Sequence, residues 1–452
     1  MSSWTRRTTI GVMLVVLLAS ACGRSSKSSS ATNSTTVTTA AASAAGDFGT
    51  LKGLCGPGDA KGATAPGVTD TDITVGTMSD PGNTIIPGLN KELFDAADAF
   101  VGWCNAAGGI LGRKIKLTKH DAALFQVGPR MTEACANDFA LVGNGEALDA
   151  NGVPIRTGCK LPEFSAFDVS AKAGSAPMSL QAIPTPNNQS RLGGPYKAFL
   201  AFDKESTLHY GMLSSTEPSI KDSGDRNKAA AELLGYKTVD YEELPTAVDN
   251  WRPIAENLKA HGVQVLTLQG NPTNDVSLLK AMTDVGYFPK YWILDANHYD
   301  QKLISEGGAL LDKTTILVNS PNPPFEQADK YPAIKQYIDN LAKYVPSAKP
   351  ASLGINATSA WALFATAAKA CGSNLTRDCL LQNGVQKDWT AGGLNVPTTP
   401  GNATIGGTPC FTLDQATSTG FKLNSDVTKP TNDVFNCDPA NAFNLPGFPK
   451  AS

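Results

Sequence analysis

Six short polar stretches carry most of the hydrogen-bonding chemistry that this chain can aim at a ligand. They are Ser79-Asp80, Gly143-Asn144-Gly145-Glu146-Ala147, Ser165-Ala166-Phe167-Asp168, Ser214-Ser215-Thr216-Glu217, Gln269-Gly270-Asn271 and Asp295-Ala296-Asn297. Each follows directly on a run of apolar or β-branched residues. Hydroxyls, amides and carboxylates supply directional contacts, and the glycines among them let backbone N–H groups come close to a bound molecule. Ser79, Asp80, Asn144, Gly145, Glu146, Ser165, Ala166, Phe167, Ser215, Glu217, Gln269, Asn271, Asp295 and Asn297 are therefore the candidate ligand-binding residues. Any one of them alone reads equally well as a helix cap or a turn, which Ser, Asp and Asn favour. Six such loops, each at a strand end, make the collective reading the stronger one.

Catalytic patterns are missing from the chain. There is no Gly-rich loop ending in Gly-Lys-Ser/Thr, no Gly-x-Ser-x-Gly and no His-Glu-x-x-His. Gly143-x-Gly145 begins a dinucleotide pattern, but Leu148 stands where the third glycine belongs. The four histidines, His120, His209, His261 and His298, are scattered, and no two cysteines have the two-residue spacing of a zinc ribbon. A binding protein without metal or cofactor is expected, not an enzyme.

The cysteines and the N-terminus fix a compartment. Arg6 and Arg7, the apolar run Ile10 to Leu18 and the small residues Ala19-Ser20-Ala21 describe an export signal over residues 1–21, too short to span a bilayer. Cys22 follows as in a bacterial lipobox, so it is the expected site of lipidation, with palmitate among the acyl chains, and of anchoring to the extracytoplasmic face of the cell membrane. Thr9 stands where twin-arginine export would want an aromatic. From Gly23 to Ala45 the chain is nearly all Ser, Thr and Ala, which cannot bury enough apolar surface to offset its ordering entropy. Residues 22–53 are read as anchor and disordered linker, and the folded body as beginning at Leu54. Of nine cysteines, eight remain after Cys22, an even number in an exported protein. Pairing by locality gives Cys55 with Cys104, Cys135 with Cys159, Cys371 with Cys379 and Cys410 with Cys437. A net charge of −3 without basic clusters argues against nucleic acid as a partner.

The elements that position the loops are alternating strands and helices. Strands are expected at Ile73–Met78, Lys114–Leu117, Phe139–Val142 and Leu161–Phe164. A second set is expected at Tyr210–Leu213, Lys237–Glu242, Val263–Leu268 and Tyr291–Leu294, with amphipathic helices between members and glycine stops at Gly235, Gly262 and Gly286. Such alternation means right-handed βαβ units and parallel sheets. Two sets separated by the Pro/Asn/Gly stretch Pro184–Pro195, in a body of about 400 residues, predict an α/β protein of two doubly wound lobes. Further helices are expected around Ile334–Val345 and Trp361–Ala368, and a turn-rich, antiparallel or irregular tail beyond Gln382.

The segment Asn105-Ala-Ala-Gly-Gly-Ile-Leu-Gly-Arg-Lys-Ile-Lys-Leu117, leading to Asp121, resembles the signature after the first helix of the leucine/isoleucine/valine-type periplasmic binding proteins, the type I solute-binding components of ABC importers. The strand from Gly262 to Leu268 and the helix end Leu278 to Tyr287 resemble that family too, over about Ile73 to Cys371. The resemblance implies two lobes joined by a three-strand hinge, crossing near Pro184–Pro195, near Asn319–Phe325 and after Gly393. Lobe one would hold residues 54–185 and 325–393, and lobe two 186–324 and 394–452. It implies a monomer that encloses a small-molecule solute, an amino acid or amide-like compound, between the lobes and hands it to an ABC permease in the membrane. An envelope receptor that senses a ligand, or an interaction protein of the same fold, is the alternative. In that family a Ser/Thr-rich loop after the third strand grips the ligand carboxylate, where this chain has Gly143-Asn144-Gly145-Glu146. The family's ammonium-binding acid falls at Asn297, with Asp295 two residues earlier. Glu146 would suit a cationic or amine-bearing ligand, and Asn144, Gln269 and Asn271 would suit amides or polyols.

Overall fold

The computed structural model describes residues 45–401 and 408–448. The export signal, Cys22 and most of the Ser/Thr/Ala stretch lie outside the described residues. Among these residues no helix is long and apolar enough to cross a membrane.

Lobe one is built on a parallel sheet of β1 (Asp72–Ser79), β2 (Lys114–Asp121), β3 (Leu141–Val142) and β4 (Glu163–Phe164), in the order β2-β1-β3-β4. β1 is central, with Ile73, Val75 and Met78 fully buried, as expected for a strand covered on both faces. Helix Lys91–Ala107 covers one face and helix Val127–Asn137 stands beside β2. Helix Ser352–Cys371 returns to the same lobe from far along the chain, stacking Trp361 on Phe100 and setting Phe364 edge-on to Phe164.

Lobe two has seven strands: β5 (Tyr210–Ser215), β6 (Thr238–Leu244), β7 (Val265–Leu268), β8 (Tyr291–Leu294), β9 (Thr315–Ser320), β10 (Thr412–Thr417) and β11 (Gly420–Leu423). Their order is β11-β10-β9-β8-β7-β5-β6. β5 to β9 are parallel, and the β10–β11 hairpin adds antiparallel to β9. Helices Pro218–Leu233, Arg252–Ala260 and Pro272–Val285 supply crossovers, the last stopped by Gly286 in the left-handed region at φ 65. β9 stands outside the four strands expected for this set. Its polar end, Asn319-Ser320 before Pro321, reads as a turn, yet Thr412–Ala416 pairs with Ser320–Ile316 and carries the ladder through it. Within the tail beyond Gln382, the same pairing orders Thr412–Leu423 as an added hairpin.

Three chain crossings lie side by side between the lobes. Thr398 Oγ1 donates to Ala182 O at 2.7 Å, Val396 N–H to Pro321 O at 3.0 Å, and Gln181 pairs with Gly401 in an antiparallel bridge. Asn322 pins them: it accepts from Ser352 Oγ at 2.8 Å and donates to Leu394 O at 3.1 Å.

The folded body begins before Leu54. Phe48 is fully buried against Phe100 and Trp103, and Thr50 N–H donates to Gly392 O at 3.0 Å. One aromatic at the end of a Ser/Thr/Ala stretch is enough to bring the adjoining backbone into the lobe, which corrects the expected linker end at residue 53. The four disulfides are Cys55–Cys104, Cys135–Cys159, Cys371–Cys379 and Cys410–Cys437.

Candidate ligand-binding cleft

The carboxyl ends of both sheets face a single cleft of about 260 Å³, the position at which open parallel sheets bind ligands. Lobe one lines it with Leu89, Phe167, Ile183 and Leu353, and lobe two with Leu244, Val248, Trp251 and Leu268. The apolar walls would take a small organic body, and the polar groups among them decide its orientation.

Seven of the candidate residues line this cleft: Ala166, Phe167, Ser215, Gln269, Asn271, Asp295 and Asn297. Several are also committed to local structure. Asn271 caps helix Pro272–Val285 by accepting from Thr273 and Asn274 N–H. Ser215 Oγ accepts from Glu217 N–H, and the Asn297 amide donates to Gly270 O. Asp295 spends one oxygen on Ala296 N–H.

The other seven stand behind the lining. Ser79 donates to Asn90 O at 2.7 Å. Asp80 accepts from Leu124 and Ala147 N–H, so it fastens two loops together beneath the cleft. Asn144 donates to Glu163 at 2.9 Å, and Glu217 accepts from Thr246 Oγ1 at 2.9 Å. Ser165 is fully buried, and its hydroxyl has no hydrogen-bond partner among the described residues. Gly145 is needed for space: a Cβ there would fall 2.3 Å from the Phe167 ring. Loop position at a strand end does not separate a residue on the cleft surface from one that holds the surface up.

Glu146 belongs to a buried acidic layer under lobe one. Burial first, then the charges of Glu163, Asp80 and Asp149, push its carboxyl well above the usual range. Asp168 is raised likewise by burial and by Glu163 and Asp149. Glu163 has a cation of its own, Arg156 Nε at 3.2 Å, with both side chains buried. Glu146 stands behind the cleft lining, and burial among other acids opposes its charged form, so a cationic ligand would not meet it at the cleft surface.

The lobes clasp through the segment that follows β4. Asp149 of lobe one accepts from Val169 N–H at 2.7 Å and Ser170 N–H at 3.2 Å. From lobe two, Arg226 Nη2 donates to Val169 O at 3.0 Å, Arg191 Nη2 to Asp168 O at 3.4 Å, and Asp222 accepts from Ala171 N–H at 2.7 Å. Arg191, Arg226, Asn227, Asn319 and Asn356 all line the cleft and stand outside the expected residues. Arg226 and Asn227 lie inside a helix rather than in a strand-end loop, and Asn319 ends the strand that turn-like residues conceal. Asn356 had a usable signal: it is the lone amide in helix Ser352–Cys371, whose other uncharged polar residues are hydroxyls and a terminal cysteine.

Comparison with known proteins agrees with this architecture. A family model described as periplasmic binding protein matches residues 87–403. An amino acid binding protein from Pseudomonas aeruginosa is 22% identical over 264 residues, covering 56% of this chain and 68% of its own. Among solved structures, a fatty acid ABC transporter substrate-binding protein from Thermomonospora curvata superposes with a TM-score of 0.70 at 17% identity, over 87% of this chain and 99% of that one. A leucine-binding protein from Thermotoga maritima gives 0.62 at 11% identity, over 78% and 97%. With two doubly wound lobes, a three-strand hinge and a cleft at the strand ends, the chain belongs to the periplasmic binding protein family.

Proposed function

We propose that this protein captures a small polar solute, an amino acid or amide-like compound, between its lobes and delivers it to an ABC permease. In this reading it acts as a monomer, held to the extracytoplasmic face of the membrane by acyl chains on Cys22. The carrying observation is a set of buried amides that the protein leaves unsatisfied at the cleft. Asn227 Nδ2 and Asn356 and Asn319 Oδ1 have no partner among the described residues, though each side chain is buried. An unpaired buried amide costs about 1–3 kcal/mol, so a ligand that pairs with these groups recovers that energy on binding. Asp295, with one oxygen uncommitted to a hydrogen bond, is the group that would meet an ammonium. The name of the Pseudomonas aeruginosa relative supports an amino acid, while the Thermomonospora curvata structure is named for a fatty acid transporter.

Closure supplies the means of delivery. Contacts from both lobes exist together only when the cleft is shut, so binding shifts the population toward the closed form, which a permease can then distinguish. Calorimetry against amino acids and their amides, with solution scattering to follow compaction, tests capture. Binding with a fall in radius of gyration is expected; no heat and no compaction across that library would refute it. Membrane fractionation of the full chain and of Cys22→Ser tests the anchor, and the substituted protein should appear in the soluble extracytoplasmic fraction.

A further inference from the structure

Resting on the reading that the cleft takes a solute, we infer that the solute carries a carboxylate and that lobe two holds it, between Arg191 and Arg226. Both guanidinium groups line the cleft, and through Nη2 they reach consecutive carbonyls, Asp168 O and Val169 O. They are therefore neighbours. Arg191 Nε is spent on Thr185 Oγ1 and Arg226 Nε on Asp222 O, but the described residues offer no acceptor to Nη1 of either one. Two guanidinium groups, each with a donor left over, meet at one cleft surface.

The charges around them favour an anion. Asp222 is the only carboxylate among the described residues in ion-pair contact with either arginine, at 3.4 Å from Arg226 Nη2. Arg191 has none. Asp149 lies close, but its oxygens are turned onto Val169 and Ser170 N–H. Asp295 acts on Arg226 more weakly than Asp222, Arg191 or Asp149 do. Burial and the charge of Arg191 both oppose the cationic form of Arg226, an arrangement that a bound anion relieves. With Asp222 offsetting one of the two charges, a monoanion fits better than a phosphate dianion. The planar guanidinium fork matches a carboxylate in two parallel hydrogen bonds. In the resembled family the carboxylate grip lies instead on lobe one, in the loop where this chain has Gly143-Asn144-Gly145-Glu146 and lacks the hydroxyls.

Matched probes decide it: leucine against leucinamide, and octanoate against octanamide, each titrated calorimetrically into the full-length protein. The acid should bind at least about tenfold more tightly than its amide in any pair that binds. Arg191→Gln should weaken the acid by about 10- to 100-fold while leaving the amide within about threefold, and Arg191→Lys should fall between. If Arg191→Gln does not fold by circular dichroism, the lysine variant alone carries the comparison. Equal binding of acid and amide, or acid binding untouched in the substituted proteins, overturns the inference while leaving the cleft reading standing. Failure of all four probes to bind or to compact the protein sinks both together.

Discussion

Asp149 and Arg226 hold the same residue from opposite lobes: the carboxylate takes Val169 N–H at 2.7 Å, and the guanidinium reaches Val169 O at 3.0 Å. Neither side chain touches the other, yet the backbone at Val169 makes them one unit. The segment is fixed to lobe one by Asp149 and can be gripped or released by lobe two. Under the proposed closing of the cleft this segment would act as a latch, its bonds to lobe two breaking as a set on opening.

The latch predicts that Asp222→Ala opens the protein. Asp222 accepts from Ala171 N–H at 2.7 Å and pairs with Arg226 at 3.4 Å, so its loss removes one interlobe bond and frees the arginine. Asp222 is partly exposed, which limits the effect to about 1 kcal/mol. Solution scattering should show a larger radius of gyration without ligand, and calorimetry a loss of affinity of about fivefold. An unchanged scattering profile would mean that these contacts do not govern closure.

Buried acids predict an unusual pH dependence. Asp149 is pushed up to about 6 by burial, against the hydrogen bonds that favour its charged form. Glu326 is raised to about 7 and Asp300 to about 6, burial again the first cause. A folded-state value above the unfolded one stabilises the protonated protein, so this contribution is complete below about pH 4 and is lost as pH rises through 6 to 7. The melting temperature should therefore rise as pH falls from 8 to 5. Asp149→Asn should flatten that slope between pH 7 and 5, where its share is about 1.4 kcal/mol. A melting temperature that falls over the same interval would contradict the buried-acid account.

Much of the fold is legible in the sequence because apolar runs with glycine stops mark each βαβ unit without reference to anything distant. β1 and β5 to β8 lie where those runs predict, and disulfide pairing by locality yields the four bonds in the structure. What escapes local pattern depends on partners far along the chain. β9 is ordered to its polar end by β10, about a hundred residues on, and Phe48 is buried by a helix it does not adjoin. The site divides the same way. Phe167, Gln269 and Asp295 are reached by the strand-end rule, whereas Arg191 and Arg226 become neighbours only through carbonyls of the other lobe.

Gly145 predicts a loss of binding at small cost in stability. A methyl group at this position would meet Phe167, and the ring rather than the backbone is free to give way, since Phe167 is a wall of the cleft. Gly145→Ala should displace that ring, reducing ligand affinity about tenfold while lowering stability by about 1–2 kcal/mol, within the range for overpacked sites. Calorimetry with urea unfolding on the same protein separates the two effects. A stability loss with intact affinity would show that Phe167 does not shape the bound state.

The earliest described segment predicts a coupled pair of defects. Residues 46–55 are tied down twice. Phe48 packs on Phe100 and Trp103 at centroid distances of 6.2 and 5.4 Å, and the Cys55–Cys104 bond fastens the segment to the same helix, Lys91–Ala107. Gln336 adds a polar clamp, accepting from Gly49 N–H at 2.9 Å and donating to Asp47 O at 2.8 Å. Phe48→Ala alone should cost about 3–5 kcal/mol, the range for a fully buried aromatic. Replacing both Cys55 and Cys104 by alanine should cost up to about 4 kcal/mol from loop closure alone. Because both tethers order one stretch of chain, losing either releases part of what the other holds. The triple variant should therefore be more stable than the sum of the two losses predicts, by at least about 1 kcal/mol in urea unfolding. Strict additivity would mean that the two tethers act on independent parts of the lobe, and that residues 46–55 do not fold as a unit.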